Sequence, residues 1–479
     1  MEDKNNKVFD YIEKLYGKSS AKKYKEFIKS DHSTYVRVNT LKTNPQQLQK
    51  TLQDKYNISS RVITGFSNAL KILSNKNLIG KTIEHIIGLY YIQNLSSMVP
   101  ALVLNPTEKD IVLDLCAAPG SKTTQLGELK NNKGTLIANE ISADRVKMLV
   151  YNLDRMNIIN TGVLHRKGEW LSKVYQNYFD KILIDAPCSG LGIIQKKEEV
   201  FDWWSKEKAE NLSELQTKLV VAGLKMLKTG GGLVYSTCTL TVEENELMLN
   251  KILKKYPVEV LDINLPVKSY DGFTIYENEK LNPSLSKSKR ILPWEIDSEG
   301  FFITKLKKIG EIIPPIKEEL NTARTLSLKN RENNSVKNYL DNIEDEFGIE
   351  KDTLSNYKFL IKKNNIFFFD GSWADENSSL FERIGTKFGT IDNKNKLVLH
   401  TQAAQILQDK IKNRIYNIPN IAELKTYLKG GTIKGDLSKP GQYAIKYEDQ
   451  ILGTAIALPE GIKSRFPRAK RTQEIYFED

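Results

Sequence analysis

Only three cysteines, Cys116, Cys188 and Cys238, occur in 479 residues. They are too few and too far apart for a disulfide framework, and they lack the close pairing that binds zinc. The four histidines, His32, His85, His165 and His400, are equally scattered, so no metal centre is expected. No apolar run approaches the length that crosses a bilayer, and the N-terminus reads MEDKNNKVFD rather than a basic leader followed by a greasy stretch. A soluble, cytoplasmic protein is expected, and a monomer. There is no internal repeat and no G-x-G-x-x-G dinucleotide fingerprint.

What the chain does hold is positive charge. Lys plus Arg outnumber Asp plus Glu by 71 to 59, a formal net charge of +12, which favours a polyanionic partner without proving one. The length predicts several domains.

Residues 1–85 read as a small α+β module. YVRVNTL (35–41) alternates as a strand, and Asn44 followed by Pro45 caps the helix-like QQLQKTLQDKY. GLYYIQNLSSMVPALVL (88–104) predicts a strand entering a buried helix. From 86 to 308, apolar strands alternate with amphipathic helices: IVLDLC (111–116), TLIANE (135–140), GVLH (162–165), KILIDA (181–186) and GLVYST (232–237), closed by GFFITKLKK (300–308). That order predicts a Rossmann-like, doubly wound α/β domain. In SADRVKMLVYNLDRM, Val146, Leu149, Val150 and Leu153 share one helical face, and Thr241 with Glu244 has the spacing of a capping box. Residues 309–338 are polar and read as a linker, 339–395 as a small α+β module containing NIFFFD, and 396–479 as a β-rich module with QYAIKY and ILGTAIAL.

Chemistry gathers at the carboxyl ends of the central strands, where doubly wound sheets bind ligands. After the first strand comes CAAPGSKTTQLGEL (116–129), small residues that let a ligand approach backbone. Glu140, about 20 residues on, has the spacing of an acid that accepts from ribose hydroxyls. A phosphate-cradling loop needs an early glycine and a terminal Gly-Lys-Ser/Thr, which this loop lacks. A tight turn without a ligand is the plainer alternative.

Cys188 in DAPCSGLG (185–192) and Cys238 in STCTLTVEENE (236–246) follow the fourth and fifth strands. Those strands are neighbours in such a sheet, so both thiols converge on the cofactor edge. A thiolate that adds to carbon 6 of cytosine makes carbon 5 nucleophilic toward a methyl sulfonium. A helix N-terminus beyond Thr241 favours the thiolate at Cys238, and Cys188 is placed to help remove the carbon 5 proton. Asp185 and Lys122 are positioned to hydrogen-bond the ring. Buried cysteines are often mere small hydrophobes, but their shared strand-end edge and polar settings argue against that; a redox pair is a further alternative, disfavoured because the cysteines lie far apart rather than as C-x-x-C and a reducing compartment is expected.

Together YVRVNTLK, GLYYIQNLSSMVP, CAAPGSKT, DAPCSG, STCT and EGFFITKL (299–306) resemble the Nop/Sun family of RNA cytosine-5 methyltransferases, particularly the bacterial RsmF-like branch that modifies small-subunit ribosomal RNA. The resemblance covers about residues 30–308. It implies a class I methyltransferase fold using S-adenosylmethionine, with Cys238 as nucleophile and Cys188 aiding product release. It also implies cofactor contacts from Cys116, Ala117, Ala118, Pro119, Gly120, Ser121 and Lys122, and from Glu140, Arg145 and Asp185. Where the family places an acid near the end of the third strand for the adenine, this chain has Lys167, with Glu169 two residues on.

The resemblance further implies an RNA-binding N-terminal module, in which Arg37 is a candidate contact, and a PUA-like C-terminal RNA-binding region. There KSRFPRAKR contributes Lys463, Arg465, Arg468, Lys470 and Arg471. Lys196 and Lys197 are second candidates, whereas Trp203 and Trp204 are expected to pack. The expected partner is ribosomal or transfer RNA. A catalytically idle RNA-binding ribosome assembly factor is the reading from another class.

Overall fold

The computed structural model describes residues 2–313, 316, 327–435 and 439–477, with residues 2–6 as backbone only. The chain opens on α1 (Glu2–Lys29), broken at Gly17, whose φ of 81° only glycine takes readily. Tyr11, Ile12, Ala21 and Tyr24 of α1 share a core with Leu191, Val200, Trp204 and Leu292. The helix therefore belongs to the central α/β body, which corrects the expected 1–85 module.

The module itself is a sheet in the order β2-β3-β1-β4, formed by β1 (Thr34–Val38), β2 (Ser60–Val62), β3 (Ala69–Ile72) and β4 (Tyr90–Ile92). It extends past residue 85 because β4 pairs with β1. Its helix α2 (Pro45–Tyr56) starts as expected, Asn44 accepting from the Gln47 amide at 2.9 Å.

The central body follows α3 (Ile83–Ile86) and α4 (Leu95–Leu104). Its parallel strands are β5 (Ile111–Asp114), β6 (Thr135–Asn139), β7 (Thr161–Leu164), β8 (Phe179–Asp185) and β9 (Leu227–Thr237). Between them run α5 (Ser121–Leu129), α6 (Ala143–Met156), α7 (Gly168–Leu171), α8 (Val200–Trp203) and α9 (Lys206–Met226). After α10 (Met248–Lys255) and β10 (Val258–Leu261) come the short β11 (Tyr270–Asp271), β12 (Ile275–Tyr276) and β13 (Glu279–Lys280). The last elements are β14 (Lys289–Ile291), α11 (Pro293–Ile296) and β15 (Phe301–Lys308). Among the described residues the sheet order is β11-β14-β15-β9-β8-β5-β6-β7, so β8 and β9 are neighbours as expected, and β15 runs antiparallel to β9. Leu113, Ile137, Ile182 and Leu233 are fully buried in it, each burial contributing about 1.5–3 kcal/mol.

Beyond residue 308, the expected linker is shorter than its composition implied, although 314–315 and 317–326 lie outside the described residues. β16 (Lys329–Asn330) already pairs with β17 (Tyr357–Lys362), and buried Arg331 is held by Asp341 and by Glu344. β18 (Asn365–Asp370), β20 (Thr386–Ile391) and β21 (Leu397–Leu399) complete that sheet, while β19 (Arg383–Ile384) crosses to pair with β7 of the central sheet. The last sheet runs β22-β24-β25-β26-β23. Its strands are β22 (Ile415–Asn417), β23 (Thr432–Ile433), β24 (Gly441–Tyr447), β25 (Gln450–Leu458) and β26 (Gly461–Ser464). Ile418, Leu424 and Tyr427 from this module share one core with Leu48, Leu52 and Ile83 of the first. No described helix is long and apolar enough to cross a membrane.

Two basic residues expected at an RNA surface are structural instead. Arg37 is fully buried. Its guanidinium meets Glu128 through two bonds of 2.9 and 3.0 Å, Thr124 Oγ1 at 2.8 Å and the Ser121 carbonyl at 2.7 Å, tying the first module to α5. Lys470 is buried, donates to the Ile86 carbonyl at 2.9 Å, and is pushed down to about 7 by loss of water. Both contacts close domain interfaces, which is why neither side chain reaches solvent. Arg37→Ala would leave Glu128 charged and buried without its cation. We expect a loss of about 3–5 kcal/mol in urea unfolding, and an unchanged midpoint would refute this role.

Candidate active site

Asp185 ends β8 opposite Ser236 on β9, and Ser236 Oγ donates to Asp185 Oδ1 at 2.8 Å. Lys122, in the first turn of α5, reaches the other carboxylate oxygen at 2.6 Å and Ser97 Oγ of α4 at 3.0 Å. Its ammonium lies 5.1 Å from the Phe301 ring centroid. Burial disfavours a charged lysine, but the Asp185 carboxylate more than compensates and raises its pKa above the ordinary value. A fixed cation and a fixed acceptor thus stand side by side at the sheet's carboxyl edge.

Just past them, Cys188 and Cys238 meet, Sγ to Sγ, at 2.9 Å. Both are free thiols and half-buried. The hydrogen bond to Cys238 and burial together push the Cys188 thiol well above its usual range. Burial does the same for Cys116, the third strand-end cysteine.

The cysteine loops are held together by backbone contact and by one carboxylate. Gly192 N donates to the Cys238 carbonyl at 2.9 Å and Gly300 N to the Gly192 carbonyl at 2.8 Å. A Cβ on Gly192 would stand 2.3 Å from the Gly300 oxygen and 2.7 Å from the Cys238 oxygen, so this close approach requires glycine. Glu244 is fully buried. Its Oε2 accepts from the Ser189 amide at 2.9 Å and from Gln216 at 2.8 Å, and its Oε1 accepts from Thr241 Oγ1 at 2.9 Å. The expected capping box is therefore absent: neither side chain caps the other residue's backbone amide, and the two meet only side chain to side chain. The Thr241–Glu244 contact forms, but residues 243–247 make a π-helical turn, and the carboxylate turns toward the Cys188 loop instead of back to its own helix.

At the neighbouring cofactor loop, Gly120 takes φ 106° as it enters α5. Glu140 is buried, accepts from the Ser142 amide at 3.0 Å and pairs with Arg145 at 3.2 Å. Arg145 also donates to the Ala118 carbonyl at 2.6 Å, drawing together the predicted contacts on either side of the loop. Asp114 Oδ2 accepts from Thr123 Oγ1 at 2.7 Å, while its buried Oδ1 has no hydrogen-bond partner among the described residues. These carboxylates suit a ligand rich in hydroxyl and ammonium donors. Lys167 is exposed, and Glu169 is half-buried in the first turn of α7.

A family model described as 16S rRNA methyltransferase RsmB/F matches residues 101–307. The Ribosomal RNA small subunit methyltransferase F of Shewanella woodyi is 34% identical over 453 residues, covering 90% of this chain and 89% of that protein. The chain belongs to the RsmB/F methyltransferase family. A tRNA (cytosine(49)-C(5))-methyltransferase of Pyrococcus abyssi is 37% identical over 273 residues, 57% of this chain and 87% of that protein. The crystal structure of a methyltransferase homolog protein from Pyrococcus horikoshii superposes with a TM-score of 0.56 at 32% identity, covering 62% of this chain and 93% of that one. The RsmB/F match thus spans the cofactor loop and both cysteine motifs.

Around this RsmB/F core the structure adds residues not singled out from the sequence: Ser97, Asp114, Gly192, Gln216 and Phe301. The only available signal was a polar side chain within an otherwise apolar stretch, as in LSSMVP and IVLD. Among the described residues no group of three or more His, Cys, Asp or Glu side chains could hold a metal ion. Of the C-terminal basic run, Lys463, Arg465 and Arg468 are exposed, whereas Arg471 is half-buried and donates to the Phe466 carbonyl at 2.8 Å.

Burial raises Asp114 from 3.8 to about 7. The folded state therefore keeps a proton that the unfolded chain sheds, and this group lowers stability as pH climbs between those values. We expect Asp114→Asn to flatten the fall in melting temperature from pH 4 to pH 7. Parallel profiles for the two proteins would contradict the assignment.

Proposed function

We propose that this chain methylates carbon 5 of a cytosine in small-subunit ribosomal RNA, using S-adenosylmethionine and a covalent adduct to Cys238. The observation that carries the reading is the 2.9 Å contact between two free thiols beside the Lys122–Asp185 pair. Coverage of 90% of the chain by a small-subunit enzyme, against 57% by a transfer-RNA enzyme, favours ribosomal RNA over the same chemistry on tRNA.

S-adenosylmethionine supplies an electrophilic methyl on a sulfonium, and Glu140, Asp114 and the backbone of Cys116–Gly120 are the groups suited to hold it. Cys238 Sγ, as thiolate, adds to carbon 6 of the cytosine, and the ring's displaced electrons make carbon 5 nucleophilic. Asp185 and Lys122 sit where a cytosine amine and carbonyl would find an acceptor and a donor, steadying the ring during addition. Once carbon 5 carries the methyl, its proton must leave so that the carbon–hydrogen electrons re-form the ring double bond between carbons 5 and 6, and Cys238 departs as thiolate with the electrons of the carbon–sulfur bond. Cys188, in contact with Cys238, assists that elimination as the base: its sulfur, as thiolate, takes the carbon 5 proton and becomes the thiol. A cytosine stacked in a duplex cannot enter such a cleft, so the target is unpaired or flipped. An idle assembly factor would not need to keep an ion pair and two thiols aligned at the strand ends.

The test uses purified protein, S-adenosylmethionine with a labelled methyl, and ribosomal and transfer RNA from a strain lacking the gene. We expect labelled 5-methylcytosine in the ribosomal RNA, none with Cys238→Ala, and an RNA–protein adduct that survives denaturation with Cys188→Ala. Full activity in Cys238→Ala would overturn the mechanism, and label only in transfer RNA would overturn the substrate.

A further inference from the structure

Arg37 and Lys470 are buried, Lys463, Arg465 and Arg468 remain exposed, and the first helix adds a further set of exposed cations. Beyond the break at Gly17, Lys18, Lys22, Lys25 and Lys29 recur at intervals of four, three and four residues, which places them on one face of α1. All four are exposed. Among the described residues none has a carboxylate partner. Lys14 and Lys23 on the same helix, by contrast, are paired, Lys14 with Glu277 and Lys23 with Glu295 at 3.2 Å. The row extends for about 16 Å along the helix, long enough to follow several phosphates. Glu26, the one exposed acid within this stretch, lies four residues after Lys22 and three before Lys29 and so borders the row, but among the described residues it forms no ion pair with any of the four lysines.

The helix is anchored to the catalytic loop. Tyr24 Oη donates to the Leu191 carbonyl at 2.5 Å, and Gln195 Nε2 donates to the carbonyls of Phe27 at 2.7 Å and Ser30 at 3.1 Å. Leu191 lies three residues beyond Cys188 in sequence. The apolar face of α1, with Ala21, Tyr24 and Phe27, is spent on the protein core, so the helix has no greasy side left to insert in a lipid surface. What it presents is charge alone.

We propose that the lysine face of α1 is a backbone-binding surface for single-stranded RNA, leading the strand toward the cysteine cleft. This rests on the reading of the chain as an RNA-modifying enzyme and assigns that enzyme a docking surface. Contact with phosphates makes affinity fall with salt, by about 0.7 in the log–log slope for each contact to a single strand.

The experiment measures binding of a fluorescein-labelled single-stranded RNA of mixed sequence to the full chain across a potassium chloride series. S-adenosylmethionine binding is followed by calorimetry on the same samples. The Lys18→Gln, Lys22→Gln, Lys25→Gln, Lys29→Gln quadruple variant should flatten the slope by about 1.4–2.8, the loss of two to four phosphate contacts. It should still bind S-adenosylmethionine. Lysine-to-arginine changes at the same four positions should retain the slope. An unchanged slope in the glutamine variant, or an equal loss in the arginine variant, overturns the docking surface while leaving RNA methylation standing. A wild-type protein that binds S-adenosylmethionine but no RNA at any salt concentration overturns the RNA reading, and this inference with it.

Discussion

Three buried carboxylates in one π-helical turn hold the catalytic end of this molecule together. Glu243 binds Tyr11 of α1 and Tyr276 of β12, Glu244 binds the loop carrying Cys188, and Glu246 takes the guanidinium of Arg290 from β14. Asn245 between them accepts from Thr237 at 2.7 Å and donates to the Thr241 carbonyl at 2.7 Å. Charged groups without water are costly unless fully partnered, so each acid dictates where its partner element must sit. A regular α-helical turn would aim these side chains differently. The extra residue per turn lets consecutive acids radiate to α1, to the Cys188 loop and to the edge strands.

The parallel sheet was legible because burial on both faces leaves continuous apolar runs, and their order implied that β8 and β9 would lie side by side. The cysteines, Asp185, Lys122 and the cofactor loop could be named because strand ends converge in this topology. Less visible were residues whose role is set by partners distant in sequence. Ser97 lies 25 residues from Lys122 and Gln216 lies 28 from Glu244, and no local spacing announces such pairs. Glu244 fitted a capping box locally, but the nearby Ser189 amide offered its carboxylate a partner across the loops.

Basic residues were the least legible class. Composition counts every cation alike, whereas the fold sorts them by what surrounds them. Arg37 lies on a strand that meets α5 and is consumed by Glu128. Lys470 is enclosed where the last module meets the first. Lys18, Lys22 and Lys29 of α1 form no ion pair among the described residues, and Lys25 meets only the Phe9 ring, because α1 lies on the outside of the catalytic body. The helix itself, assigned by sequence to the first module, is packed against Leu191 and Trp204.

The core shared by the first and last modules bears on the order in which this protein is made. Leu48, Leu52 and Ile83 leave the ribosome early, yet their apolar partners Leu424 and Tyr427 are translated some 340 to 380 residues later. The first module must therefore wait, partly uncovered, while the methyltransferase sheet assembles behind it. It closes only when the last strands arrive, so the molecule is completed as a ring whose first segment is the last to be sealed.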